Sequence, residues 1–313
     1  MLPADQALGT VDDAPAADSS GTAAGTAAGT LTPVGADAIG LVLARPARML
    51  GLEPFFMELI GGIEETLSSD GRSLLLHVVP HHEAEIAAYR RWGQGQLVDA
   101  VVLVNLVVDD PRLAVLRELD IPTVVVGGPE RALPGAAHVW IDNGQAMRDA
   151  VGYLVDLGHQ TIGRVSGPAA LAHTRSRTEA FLTQCRSRGV HGVVVEGDYG
   201  EESGTRAART LLGRNNPPSA LVFDNDVMAI AALGVAHELG LSVPDDVSLL
   251  AWDDSALCRL SHPALSAMSL DVHAMGVQVA DAVLNLLASG RPTTSTAPLP
   301  RLVARGSTAR RTG

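Results

Sequence analysis

Short polar side chains gather at two points where an apolar run stops. The run Ala220 to Phe223 ends in Asp224-Asn225-Asp226, and the run Val247 to Trp252 ends in Asp253-Asp254. Runs of this length, bounded by turn residues, read as buried strands, so each polar group is delivered at a strand's carboxyl end. In an open parallel sheet that edge is where small ligands bind. Asn225 offers both a donor and an acceptor, which suits a hydroxyl group. It can equally cap the helical stretch that follows it. Asp253 adds a carboxylate, with a solvated strand terminus as the bland alternative. Arg177 falls early in a helical stretch, after the loop that follows the run 161–165. Its guanidinium can present paired donors to vicinal hydroxyls or to a carboxylate; nearby Arg175 reads as a surface arginine. Aromatic residues make up only 3% of the chain, so Phe55, Phe56 and Trp252 stand out. They can stack on the apolar face of a sugar or a base, or simply fill core. This is a set for recognising a polar small molecule by hydrogen bonds, not for a covalent reaction.

Other chemistries lack their residues. All 23 basic residues are arginine, which excludes a lysine Schiff base and a P-loop lysine within this sequence. The first apolar run ends in Ala44-Arg45-Pro46-Ala47-Arg48 with no G-x-G-x-x-G, so a dinucleotide cofactor is not expected. No G-x-S-x-G elbow occurs. Neighbouring carboxylates stand at Glu64-Glu65, Asp109-Asp110, Asp245-Asp246 and Asp253-Asp254. Adjacent residues on a strand face opposite ways, so sequence neighbours make poor acid–base dyads. Asp245-Asp246 follows Pro244 and reads as turn chemistry. His81-His82 reads as a solvated pair and no metal is expected. His159 reads as a residue at a helix carboxyl end, favoured by the dipole. Cys185 and Cys258 are far apart and read as free or buried thiols, consistent with a reducing cytoplasm. Neither an enzyme nor a cofactor is expected.

These residues need a scaffold. The chain has 313 residues, 46% of them hydrophobic, enough for a sizeable core. Residues 1–37 are built from Ala, Gly, Thr, Asp and Ser in near-repeats and read as a disordered low-complexity tail. Neither a secretory signal nor an apolar run long enough for a membrane is read. From Ile39 onward short apolar runs alternate with amphipathic stretches. The runs are 39–44, 74–79, 100–104, 122–126, 137–141, 161–165, 191–195, 219–223, 247–252 and 265–270. Helical patterns lie near 54–69, 83–97, 112–119, 143–157, 175–188, 201–213, 226–239 and 273–288. Such alternation means βαβ units and parallel sheets. Ten strands are too many for one compact doubly wound domain, so two similar lobes are expected. The net charge of −12 speaks against a nucleic-acid surface on this chain alone.

Several motifs resemble the lactose-repressor/galactose-repressor (LacI/GalR) family of transcription regulators. They are Asn225-Asp226-Val227-Met228-Ala229, the segment Gly240 to Ser248, Trp252-Asp253-Asp254, Ile141-Asp142-Asn143, Leu157 to Gly163, Arg177 with Ala180-Phe181, His262 to Ser266, and Leu302 to Thr308. Together with Ile39 to Val42 and Pro54-Phe55-Phe56, they fall in family order over about residues 38–308. The resemblance implies an α/β fold of two Rossmann-like lobes with parallel sheets joined by three crossovers, like a type I periplasmic binding protein. It places 38–142 plus 273–290 in the N-terminal lobe and 143–271 plus 291–313 in the C-terminal lobe. It implies a cytoplasmic homodimer that binds a small sugar-like effector between the lobes and thereby modulates binding to operator DNA. Phe55, Phe56, Arg177, Asn225, Trp252 and Asp253 are then the expected effector-binding residues. Three departures stand out: Ala180 where glycine is usual, Ser266-Ala267 where two threonines are usual, and Asp271 where glutamine is common. The family's helix-turn-helix is not visible here; a low-complexity stretch takes its place. The rival reading is an extracytoplasmic sugar-binding protein of a transport system, which shares the two-lobed fold.

Overall fold

The computed structural model describes residues 35–45, 54–127 and 134–311. Its first half runs β1 (Ala38–Ala44), α1 (Pro54–Ser69), β2 (Ser73–Val79), α2 (His82–Gly95), β3 (Ala100–Leu103), α3 (Pro111–Glu118), β4 (Thr123–Val126), β5 (Ala137–Trp140). The second half repeats the alternation: α4 (Asn143–Asp156), β6 (Thr161–Ser166), α5 (Ala172–Ser187), β7 (His191–Glu196), α6 (Glu201–Leu212), β8 (Ala220–Phe223), α7 (Asp226–Glu238), β9 (Ser248–Trp252). The chain closes with α8 (Ala256–Leu260), β10 (Ser266–Ser269), α9 (Val272–Ser289), β11 (Thr294–Thr296) and β12 (Arg301–Val303).

Two six-stranded sheets result, in the orders β11-β5-β4-β3-β1-β2 and β12-β10-β9-β8-β6-β7. All pairings are parallel except β10 with β12. The central strands β3, β4 and β8 read AVVL, TVVV and ALVF and are buried at every position. That is what a parallel sheet covered by helices on both faces requires. In each sheet the first strand pairs with both its second and its third strand, so chain order reverses beside β1 and beside β6. Loops after the strands diverge at such switch points and leave a crevice.

The chain changes sheets after β5, after β10 and after β11. The last change corrects the sequence-based boundary. Residues 291–313 do not all join the C-terminal lobe, because β11 extends the first sheet beside β5. His138 N donates to Thr293 O at 2.8 Å and Ala297 N to Trp140 O at 2.8 Å. The third crossover therefore follows β11 rather than α9. β11 and β12, three residues each, and the five-residue α8 were not expected.

Helix α9 packs on α1 against the first sheet, burying Met275, Val279, Val283 and Leu286. A Cβ on Gly62 would meet His273 O at 2.1 Å, and one on Gly276 would meet Leu59 O at 2.4 Å, so the two backbones touch where glycine allows it. Among the described residues α9 alone is long and apolar enough to cross a membrane by length and composition. That corrects the expectation that no such stretch exists; here its buried face completes a core.

The tail expected over 1–37 lies outside the described residues up to 34. Its last part is held: Ala36 N donates to Asp99 Oδ1 at 2.8 Å, and Asp37 O accepts from Ser73 N at 3.0 Å. The histidines at the start of α2 keep exposed side chains, as the solvated reading expects, with acids at hand. His81 Nδ1 lies 2.9 Å from Glu83 and His82 Nδ1 lies 2.7 Å from the buried Glu85. His159 is buried, with Nδ1 2.9 Å from Ser219 Oγ, and burial lowers its pKa. It is a neutral core residue, not a cation at a helix end.

Candidate functional site

The carboxyl ends of both sheets line one cleft of about 940 Å³ of empty space, its open mouth included. From the first sheet come Arg45 after β1, Val104 and Asn105 after β3, Val126 and Gly127 at the end of β4, and Ile141 and Asn143 after β5, with Pro54, Phe55 and Phe56 on α1. From the second come His173 and Arg177 on α5, Tyr199 after β7, Asp224, Asn225 and Asp226 after β8, and Trp252, Asp253 and Ser255 after β9. Leu270 and Pro300, on two of the crossovers, complete the wall. Three cleft residues, Asn105, Tyr199 and Asp253, have positive φ (52°, 71° and 67°) without being glycine. Surrounding structure must hold such conformations in place.

Each hold can be traced. Asp253 N donates to Met268 O at 3.2 Å, and the Cys258 thiol lies 3.6 Å from Asp253 O. The next residue, Asp254, pairs with Arg305 at 2.7 Å, so the two neighbouring aspartates have separate jobs. Tyr199 O accepts from Asn225 Nδ2 at 2.9 Å, and its phenol oxygen lies 2.7 Å from His173 Nε2 and 3.3 Å from Thr174 Oγ1. A Cβ on Gly167 would stand 2.2 Å from the Tyr199 ring, so this glycine makes room for the tyrosine. Arg177 Nε donates to Asn143 Oδ1 at 2.8 Å, and its guanidinium stacks 4.0 Å from the centroid of the Trp252 ring. Arg45 lies 5.5 Å from the Phe56 ring and 5.6 Å from that of Tyr199, so one cation faces aromatic rings of both sheets' walls.

Behind the cleft, Arg164 on β6 is fully buried and grips Asp224 at 3.0 Å through Nε and 2.6 Å through Nη2. Gly167 N adds a third bond to that carboxylate at 3.0 Å. Burial by itself would raise the Asp224 pKa, but the charges of Arg164 and Arg177 and these hydrogen bonds outweigh it and hold the group low. Burial, then the neighbouring Arg177 charge, pushes His173 down to about 3. Burial pushes Tyr199 up to about 12. Both are therefore neutral hydrogen-bonding groups at physiological pH. Burial also raises Asp226, whose Oδ2 has no partner. Among the described residues, with Asp224 satisfied by Arg164, the formal charges on the wall are two arginines, Arg45 and Arg177, against two aspartates, Asp226 and Asp253. Balanced charge with mixed donors and acceptors suits an uncharged polar ligand.

A family model for a periplasmic binding protein-like domain matches residues 151–308. The HTH-type transcriptional regulator CelR of Thermobifida fusca is 30% identical over 259 residues, covering 81% of this chain and 76% of that protein. A solved LacI family transcriptional regulator from Bifidobacterium animalis subsp. lactis has a TM-score of 0.81 at 30% identity, covering 89% of this chain and 100% of that one. The chain belongs to the LacI family of transcriptional regulators. A solved CelR–cellobiose complex is similar as well, with a TM-score of 0.78 at 28% identity over 87% of this chain and 84% of that one. These relatives are named as regulators, neither enzymes nor transport proteins.

In this LacI-family effector-binding core the structure brings all six residues singled out from sequence to one cleft. Their parts differ from expectation in one place. Trp252 is 1% exposed and lies among Ile162, Phe181 and Leu250, with Arg177 against its ring. It orients Arg177 from the core more than it offers a face to stack on. Asn225 does cap α7, accepting from Met228 N at 3.0 Å while its amide ties down Tyr199. Phe56 is buried and Phe55 half-buried, their rings edge to face at 5.4 Å. Sequence reasoning missed Asn105, Asn143, His173 and Tyr199, while Asp226 lies at the strand end it marks. Asn143 sits in a motif that the reading did quote, and His173 entered α5 only because that helix begins at Ala172, earlier than expected.

Proposed function

We propose that the cleft binds an uncharged, sugar-like effector, with Arg177, Asn225 and Asp253 as polar contacts and Phe55, Phe56 and Trp252 as the apolar wall. The observation that carries this reading is the cleft's balanced charge beside aromatic rings and paired donors and acceptors. A solved relative bound to cellobiose has the same fold, which supports a carbohydrate. The lobes are taken as 38–142 with 273–296, and 143–271 with 301–311. Groups from both line the cleft, so a ligand that fits one arrangement better shifts the two lobes toward it. In a regulator that shift couples to DNA affinity. The core is read as non-enzymatic and cytoplasmic, and as working in a homodimer. Operator DNA is contacted through a helix-turn-helix module rather than through this acidic core. A thermal-shift panel of neutral sugars, sugar phosphates, nucleosides and amino acids tests the ligand class. A sugar at a hundredfold excess over Kd adds about 2.7 kcal/mol to native stability. Stabilisation by nucleosides alone, or by sugar phosphates alone, contradicts the reading.

A further inference from the structure

The loop between β3 and α3 carries Asn105 into the cleft and also meets the other lobe. Ala172 N, the first amide of α5, donates to Leu106 O at 2.8 Å, and Val107 forms an antiparallel bridge with Leu171. This same α5 carries His173 and Arg177. The loop holds two non-glycine residues at positive φ, Asn105 (52°) and Asp109 (54°), which cost energy unless something enforces them. One buried side chain does so. Arg112, 2% exposed and outside the cleft wall, spreads its guanidinium under the loop. Nη2 donates to Asn105 O at 2.9 Å and to Asp110 Oδ2 at 2.6 Å, Nε donates to Asp110 Oδ1 at 2.9 Å, and Nη1 donates to Glu85 at 2.5 Å. Asp110 in turn accepts from Val107 N at 3.0 Å and from Arg112 N at 2.9 Å, which caps α3. On the far side, Tyr89 and His82 hold Glu85 at 3.2 and 2.7 Å. The planar fork thus ties both ends of the loop to α2.

Resting on the effector reading above, we propose that Arg112 is a positioning residue. It never meets the effector, but it fixes the loop 104–110 so that Asn105 faces the cleft and Leu106–Val107 latch onto α5. Arginine is required because a lysine ammonium cannot span Asn105 O, Asp110 and Glu85 in one plane.

The test uses the full chain and two readouts. In ligand-free protein, Arg112→Lys speeds hydrogen exchange at Val107 N and at Ala172 N, in the other lobe, by about tenfold, as loss of one local hold allows. Exchange at Leu221 in β8 stays at the wild-type rate. With cellobiose as the probe, Arg112→Lys and Asn105→Ala each weaken binding by about tenfold. The double variant loses less than the two single losses together, since Arg112 acts in part through Asn105. Unchanged exchange at Val107 and Ala172 overturns the proposal, and so do additive losses of affinity. Failure of wild type to bind cellobiose counts against the sugar reading alone; the ligand-free exchange then decides the positioning role by itself. If Arg112→Lys does not fold, Arg112→Met with Glu85→Gln and Asp110→Asn removes the fork without stranding a charge. It is held to the same exchange result.

Discussion

Replacing Asp224 by alanine strands the Arg164 guanidinium. Its Nε and Nη2 lose partners at 3.0 and 2.6 Å, and Gly167 N loses its acceptor at 3.0 Å. Neither side chain of the pair has any exposed surface, so water cannot replace what is lost. Breaking a buried pair on one side costs about 3–5 kcal/mol. For a chain of this size that is a fall in Tm of roughly 6–20 °C. The double change Arg164→Met with Asp224→Leu, which removes both charges, recovers much of the loss. The pH dependence has a definite sign. The Asp224 pKa is lower in the folded state than the ordinary 3.8, so its stabilisation is complete above that value and disappears as pH falls through the folded one. His173 is also depressed, from 6.5 to about 3, so it begins to destabilise the fold at higher pH, as the unfolded chain takes up its proton. Asp224→Ala therefore flattens the stability curve only in its most acidic part and leaves the decline below pH 6.5 in place. Calorimetric scans across pH measure both features. A variant with wild-type Tm at neutral pH would show that the Arg164–Asp224 pair does not hold β6 to β8.

Arg177→Ala and Asp253→Ala each weaken effector binding on the order of ten- to a hundredfold by titration calorimetry, since a charge-assisted bond contributes about 1.5–3 kcal/mol. Asp246→Ala, in the turn where its carboxylate accepts from Ser242 N, leaves affinity at the wild-type level. Gly167→Ala puts a methyl group 2.2 Å from the buried Tyr199 ring, whose phenol is held by His173 and Thr174, so the ring must move and both affinity and Tm fall. The half-exposed helices α1 and α7 leave Met57 and, just beyond α7, Leu239 open, and a homodimer at micromolar concentration is the expected result by light scattering. A monomer mass throughout would reject it.

Much of this architecture is legible in the chain because its signals are local. Valine-rich runs such as Ala100 to Leu103 and Thr123 to Val126 have only one place to go, between helices in a parallel sheet. The strand ends at Asp224 and Trp252 mark the cleft for the same reason. β11 and β12 escape because three residues carry no periodicity; partners distant in sequence, β5 and β10, make them strands. Tyr199 escapes because its place depends on Gly167, His173 and Asn225 together, and no spacing in one dimension shows that convergence. Trp252 misleads because an aromatic residue at a strand end can face a ligand or a neighbouring guanidinium, and only the fold decides that Arg177 covers it.

The most direct measurement is a crystal structure of the full chain with the neutral sugar that stabilises it most. The expected result is that sugar between the two sheets, its hydroxyls within hydrogen-bond distance of Arg177, Asn225 and Asp253 and one face toward Phe55. Density for the sugar anywhere outside this cleft, or within it without contact to Arg177 and Asp253, would contradict the account.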